Sequence, residues 1–322
     1  MKLNQEQNKG TYYFLLLLVP LFWGGAFGAT KHVITELTPM TAATIRFGLA
    51  SFILLAITLS RSEWKINILN KSSIGIWLMS LTGIFGYNVF FFESMKYTSA
   101  INGSLIMATT PVFVTFGAVF FLRESWNMRI GIGLLLSLLG VFLVIVKGSM
   151  QTILSLKFNI GDLLLLGALV CWVIYGLIGK IVMKTYSPLL TTTATMLIGS
   201  IFLAIGSLFE NDWGDVSRVS MQTWTEMAFM VLCSTVIAFF LWNQGVQKIG
   251  ASKTSMYMNL VPINATWISL LLYDSSITWP QIAGMVLVIM GVIFTTSTRK
   301  KMISSPKQRK DSPSQMTEIN NK

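Results

Sequence analysis

Charge is what this 322-residue chain has least of: Asp, Glu, Lys and Arg together make up 11% of it, where soluble domains carry about 25%. It has one histidine, His32, and two cysteines, Cys171 and Cys233, both inside apolar runs. That leaves no Cys–His metal spacing and no disulfide framework. There is also no nucleophile beside a base and no pair of acids at depth, so the chain shows no constellation for catalysis. Neither an enzyme nor a metal or other cofactor is expected. Polar spacers are scarce too, which leaves no room for a separate soluble domain.

What fills the chain instead is apolar sequence, 53% of the residues with a mean hydropathy of +0.65. It falls in ten blocks near 12–31, 39–60, 73–93, 98–121, 127–147, 160–182, 187–209, 224–246, 251–273 and 279–297. Each is long enough to cross a ~30 Å hydrocarbon layer as a helix. The expected fold is an all-α polytopic membrane protein with ten transmembrane helices. A net charge of +11 raises nucleic acid as a partner, and the distribution of charge decides against it. With a cytoplasmic N-terminus and alternating helices, 18 basic residues fall in inner segments and 5 in outer ones. That is the positive-inside asymmetry. The outer acids concentrate in "ENDWGD", Glu210 to Asp215. The basic excess therefore sets topology and attracts anionic lipids of the inner leaflet. Residues 1–11 read as a cytoplasmic N-terminus, 148–159 as an outer linker, and 298–322 as a polar, basic, disordered cytoplasmic tail.

The chain is also written twice. At a shift of 149, Trp23 meets Trp172, Lys31 meets Lys180, Pro39 meets Pro188, Thr44 meets Thr193 and Ser51 meets Ser200. At 151, Ala100 meets Ala251, Ser104 meets Ser255, Met107 meets Met258, Pro111 meets Pro262, Gly133 meets Gly284 and Gly140 meets Gly291. Ordered coincidence of tryptophan, proline and glycine at nearly one offset marks an internal repeat. Two units of five helices result, 12–147 and 160–297. An odd number inserts the second unit upside down, the inverted repeat that suits alternating access with a site near the midplane.

The runs "LFWGGAF", "LTPMTAATIRF", "SMKYTSAINGSLIMATTPVF" and "FLRESWNMRIGIGLLLSLLGVFLVI" resemble one EamA unit. "CWVIYG", "YSPLLTTTATM", "QKIGASKTSMYMNLVPINA" and "LLYDSSITWPQIAGMVLVIMGVIF" resemble a second. Together they cover residues 12–298 and resemble the EamA branch of the drug/metabolite transporters. That resemblance implies a ten-helix carrier, in many cases an exporter of amino acids or other small metabolites across the bacterial inner membrane. It implies a basket of helices one to four and six to nine, braced by five and ten. Two positions depart from internal symmetry. The acid before the fifth helix is Glu124, with Ser275 aligned to it and Asp274 one place earlier; Arg46 in the second helix is matched by the neutral Thr195.

An arginine near a bilayer centre costs at least ~2.5 kcal/mol, so Arg46 needs a partner or water. It can snorkel outward, form a structural pair within the bundle, or line a wet cavity where its fork holds a substrate carboxylate or phosphate. Tyr87 and Asn88 fall at similar depth, and Glu93 further out is either a counter-ion or proton carrier or an exposed helix end. Trp23, Trp172 and Tyr175 offer aromatic walls, with core packing as the competing role. Asn259 adds a polar group at mid-depth. Pro111 and Pro262 bend their helices, either for packing or as gating hinges. Asp162 and Glu226 suit helix N-termini. Trp77, Trp224, Trp242 and Trp279 read as interface anchors, His32 as a surface group, and Gly24, Gly25 and Gly28 as a close-packing stripe. The expected partners are a small-molecule substrate and membrane lipids, with monomer and homodimer both open. The leading reading is a secondary transporter; a channel or a helical scaffold is the alternative.

Overall fold

The computed structural model describes residues 10–64, 73–95, 97, 106–156, 159–210, 213–273 and 277–296, with no strand among them. In chain order the main helices are α1 (Gly10–Glu36), α2 (Pro39–Ser60), α3 (Ile74–Ser94), α4 (Ile106–Leu122), α5 (Met128–Val146), α6 (Ile160–Val182), α7 (Pro188–Ser207) and α8 (Met221–Ile249). α9 follows in three pieces, Ala251–Ser255, Met256–Leu260 and Val261–Tyr273, and α10 (Trp279–Thr296) is last. Among the described residues, eight helices, all but α4 and α9, are long and apolar enough to cross a membrane. The basic tail, most of the N-terminus, and the Asp274–Ser275 site lie outside the described residues.

Local sequence sets the helix ends. Pro39 and Pro188 open α2 and α7 at the first helical position, where a missing N–H costs nothing. Asn127 caps α5 by accepting from the Ile130 amide at 3.1 Å. Asn159 and Asp162 form a reciprocal capping box at the start of α6. Asp162 therefore serves the helix end, as its position in sequence suggests.

The two prolines sit at breaks in their helices. Pro111 cannot bond the Met107 carbonyl, and the Thr110 hydroxyl donates to that oxygen instead, at 2.6 Å. Ahead of Pro262 the chain tightens into the 3₁₀ stretch Met256–Leu260, and Val261 N bonds the Met258 carbonyl. Two further irregularities occupy matching places in the two halves. π-turns run through Ser80–Gly86 of α3 and Met230–Ile237 of α8.

The halves pack as antiparallel pairs. In α5 and α10, Gly133 faces Gly291 and Gly140 faces Gly284. A Cβ added at any of the four would lie 2.5–2.7 Å from the facing glycine's carbonyl oxygen. These glycines are repeat partners, so the seam looks the same from either helix. The last turn of α2 and the second turn of α7 are joined by the Thr58 and Thr193 hydroxyls at 2.7 Å. At one end the Ser187 hydroxyl donates to Glu63 at 2.6 Å. At the other, the amides of Met40 and Thr41 donate to Glu210 at 3.0 and 3.2 Å. Each of the two helices thus begins against an acid that follows the other's last turn.

Glycine lets other elements close on the centre. Gly83 of α3 lies under the Tyr175 ring of α6, and Gly24 of α1 against Asn264 and Ala265 of α9. Gly25 meets the Phe229 ring, but a Cβ on Gly28 would meet nothing within 4 Å. The packing stripe expected on α1 therefore holds for two of its three glycines.

Candidate functional site

Trp23 of α1, Tyr87 of α3, Trp172 and Tyr175 of α6, and Phe239 and Trp242 of α8 form one aromatic cluster. Trp172 is its hub. Ring centroids lie 5.5 Å from Trp23, 5.5 Å from Tyr87, 5.3 Å from Tyr175, 5.8 Å from Phe239 and 5.5 Å from Trp242. The pairs are edge-to-face or tilted, apart from Tyr175, which stacks at 20°. Such pairs contribute ~0.5–1.5 kcal/mol each beyond their burial. The cluster is drawn from both repeats, since α1 and α3 meet α6 and α8 in it. It includes four of the residues singled out in sequence, Trp23, Tyr87, Trp172 and Tyr175. It also includes Trp242, which is 1% exposed. The interface reading of Trp242 is thus corrected: its ring is needed to close the hub, which composition alone does not reveal. Trp279, 82% exposed, and Trp77, 37% exposed, do face outward.

Arg46 lies beside this cluster. Its Nε donates to the Thr235 hydroxyl at 2.8 Å and its Nη2 to the Ser234 hydroxyl at 3.1 Å. Both hydroxyls in turn donate to the Met230 carbonyl at the start of the π-turn of α8. Trp23 Nε1 donates to the Ser234 carbonyl at 2.9 Å, so guanidinium and aromatic hub meet at one residue of α8. The guanidinium carbon also stands 5.2 Å from the Phe47 ring centre. Among the described residues no carboxylate is within ion-pair distance of Arg46.

Magnitudes show what this arrangement does. Interhelical hydrogen bonds in membranes average ~0.6 kcal/mol, and an exposed cation–π contact contributes ~0.5–1 kcal/mol. Together they fall short of an insertion cost of at least ~2.5 kcal/mol and leave the charge itself unneutralised. Arg46 lines a cleft with Thr30, Val33, Phe47, Asn88, Phe92 and Met230, narrowed to room for about one water molecule. Asn88 turns part of its amide back onto the Ile84 carbonyl in the π-turn of α3.

The remaining candidates scatter. Glu93 is half-buried in the last turns of α3. Asn259 is 1% exposed, and neither its amide nitrogen nor its oxygen has a hydrogen-bond partner among the described residues. His32 does not stand alone at the surface: its Nδ1 lies 2.9 Å from Glu226, and its Nε2 4.0 Å from Glu36. Glu36 accepts from the amide and hydroxyl of Ser220, the residue that caps α8. Sequence reasoning treated His32 and Glu226 separately because they are 194 residues apart.

Glu124 is placed at the corner between α8 and α9. It accepts from the amides of Ala251 and Ser252 at 2.8 and 3.3 Å and from the Ser252 hydroxyl at 2.6 Å. Lys180 donates to the Val246 and Gln247 carbonyls at 2.9 and 2.7 Å on the other side of that corner. An acid on a helix N-terminus and a cation on a C-terminus both match the backbone dipole. Gly250 between them has φ of +99°, a backbone conformation that a side chain would strain.

Eight helices long and apolar enough to cross a membrane, packed around an aromatic hub drawn from two like halves, define a polytopic membrane bundle. The chain belongs to the EamA-like transporter family, which matches it twice, over residues 10–146 and 159–297. It is a multi-pass membrane protein and a membrane transporter. It is 37% identical over 281 residues to the uncharacterized transporter YyaM of Bacillus subtilis, covering 87% of this chain and 92% of that one. An uncharacterized transporter of Archaeoglobus fulgidus is 29% identical over 292 residues, 88% of this chain and 97% of the other. A solved crystal structure superposes with a TM-score of 0.74 at 15% identity, over 89% of this chain and 97% of that chain, which is a likeness of fold.

Proposed function

We propose that the protein is a secondary transporter that moves a small metabolite bearing an anionic group, an amino acid or related compound, out across the cell membrane by alternating access. In this reading the bundle crosses the membrane ten times with both termini in the cytoplasm, and the second repeat is inverted relative to the first. The observation that carries the reading is Arg46, a cation with no carboxylate partner among the described residues, held by two hydroxyls against an aromatic hub built from both halves. A substrate carboxylate would complete the guanidinium's coordination, and Trp23, Trp172, Tyr87 and Tyr175 would cover its apolar body. The narrow cleft at Arg46 fits a closed state, which a gating motion about Pro111 and Pro262 would open.

The test is uptake and counterflow in proteoliposomes with a panel of labelled amino acids and related acids. Saturable flux that Arg46→Gln reduces at least tenfold supports the reading. Flux that rises without saturation points to a channel, and a silent panel with correctly folded protein overturns the carrier reading. Glu93 is the proposed proton carrier, and flux that ignores an imposed pH gradient removes it from that role.

A further inference from the structure

α1 and α8 touch through a ladder of polar contacts that runs from the aromatic hub to the end of the bundle. Its first rung is Trp23 Nε1 on the Ser234 carbonyl at 2.9 Å. Thr30 follows, its hydroxyl 3.4 Å from the Met230 sulfur. Next, His32 Nδ1 lies 2.9 Å from Glu226 and 3.4 Å from the Thr223 hydroxyl. Glu36 closes the series on the amide and hydroxyl of Ser220, at 2.7 and 2.8 Å. The order is strict: α1 advances as α8 runs back, and from Trp23 to Glu36 the ladder follows about 20 Å of helix.

The lower rungs belong to the Arg46 cleft. Ser234 and Thr235 hold the guanidinium, and Thr30 and Met230 both line the cleft. It can widen between α1 and α8 only if the Thr30–Met230 rung parts. A thioether is a weak acceptor, so that rung does little to keep the helices together. The hold comes from the two rungs beyond it, where the charges are. The end of the ladder lies on a surface depression lined by Glu36, Arg218, Val219 and Ser220, so water and protons reach it.

Protonation changes what His32 can do. A neutral imidazole has one N–H, and with that proton on Nδ1 towards Glu226 the Nε2 is an acceptor. Nε2 then faces Glu36 at 4.0 Å, a carboxylate with nothing to donate. A second proton makes both nitrogens donors, and the ring bridges Glu226 of α8 and Glu36 of α1 with a full charge between two acids. Among the described residues, Glu36 and Glu226 are within ion-pair distance of His32. Arg218 shares the depression with Glu36, and Lys31 precedes His32 in sequence. Lysine and arginine keep their charge over the range in which histidine changes its own.

We propose that His32, Glu36 and Glu226 form a latch that closes the Arg46 cleft at the end the transporter reading makes outer, and that a proton on His32 keeps it shut. This rests on that reading and deepens it by giving the closed state a regulator. An acid exterior holds the carrier closed, and a neutral or alkaline one lets α1 and α8 part. His32 is a positioning residue here: it sets the distance between two helices and touches no cargo.

The experiment measures that distance without any cargo. Spin labels go on cysteines placed at Thr35 of α1 and Thr225 of α8, both exposed and each within a turn of the latch. The full chain, with Cys171 and Cys233 replaced by alanine, is held in lipid nanodiscs. Distances are read at ~pH 5.5 and ~pH 8, which bracket the range where histidine changes charge. The expected result is a single short distance at the lower pH and an added longer population at the higher. The ratio of long to short should rise roughly two- to fivefold, the scale of a partly exposed ion pair. In His32→Gln the distribution should be the same at both pH values. Glu226→Gln keeps an acceptor for a neutral ring but loses the charge, so it should reduce the shift, and it carries the test if His32→Gln does not fold. A distribution that ignores pH before either substitution overturns the proposal. A shift that survives unchanged in His32→Gln, or in Glu226→Gln where that variant carries the test, overturns it as well. Neither result touches the transporter reading, which stands or falls on proteoliposome flux and its loss in Arg46→Gln.

Discussion

Replacing Arg46 by lysine rather than glutamine separates charge from geometry. The guanidinium reaches Thr235 through Nε and Ser234 through Nη2 at once, and an ammonium at the end of a flexible stem cannot reproduce that fork. Arg46→Gln is expected to lower transport at least tenfold, and Arg46→Lys to fall between glutamine and wild type. Kinetics in proteoliposomes check this against expression level and melting temperature, which both variants should retain, because the charge adds little to stability. A large loss of melting temperature in Arg46→Gln would make the residue a structural pillar instead. The charge at position 46 was legible in sequence, as were its place in the second helix after Pro39 and its lack of a charged repeat partner. Its hydrogen-bond partners were not, because they lie 188 and 189 residues away in a π-turn, and no periodicity announces a local change from i→i−4 to i→i−5 bonding. Trp242 shows the same limit from the other side. Tryptophan suits both an interface and a buried hub, and only the packing of α1, α6 and α8 decides between them.

Helix pairs carry the stability. Adding one methyl at Gly140 of α5 sets a Cβ 2.5 Å from the Gly284 carbonyl and 2.7 Å from the Val288 amide, both backbone atoms that cannot turn aside. The α5–α10 seam must then part along its length. Gly140→Ala is expected to cost about 1–3 kcal/mol, the usual penalty of overpacking, and Gly284→Ala the same by symmetry. Gly28→Ala is the control: its Cβ meets nothing within 4 Å, and alanine is the better helix former, so the melting temperature should hold or rise. Thermal denaturation of the three variants in one detergent decides the matter, and equal losses at Gly28 and Gly140 would refute the seam. At the α8–α9 corner, Glu124→Ala removes three hydrogen bonds from the start of α9. A lost helix cap typically costs ~1 kcal/mol, and Glu124→Gln, which keeps an acceptor, should recover part of it. The glycine and proline coincidences at one offset exposed these elements in sequence, because a seam built from glycine leaves a compositional trace. The acid clamps left none, since Glu210 and Glu63 look like ordinary loop charges until α2 and α7 lie side by side.

At the scale of the whole molecule the question is how the two halves face the membrane. In the proposed ten-crossing reading, five helices to a unit would bring the second unit in from the opposite side, and an even total would return both termini to one side. The proposal takes that side as cytoplasmic on a split of 18 basic residues against 5, with short loops of the kind that obey the positive-inside rule. Antiparallel packing of α2 with α7 and of α5 with α10 is what inversion about an axis in the membrane plane demands of repeat partners. Reporter domains fused at each terminus, one that matures only in the cytoplasm and one active only outside, should both give the cytoplasmic signal. A single cysteine at Ser149 in the α5–α6 connection, in a background with Cys171 and Cys233 replaced by alanine, should react from outside with an impermeant thiol reagent. Opposite locations for the two termini would mean an odd number of crossings and would remove the inverted repeat, and with it the argument for alternating access. Termini together but outside would keep the symmetry and exchange the two faces: the His32–Glu226 pair would then stand on the cytoplasmic side and the Glu124 clamp on the outer one. A topology can be proposed from sequence at all because charge and length act on the chain before any packing exists, and these fusions and labels are what test it.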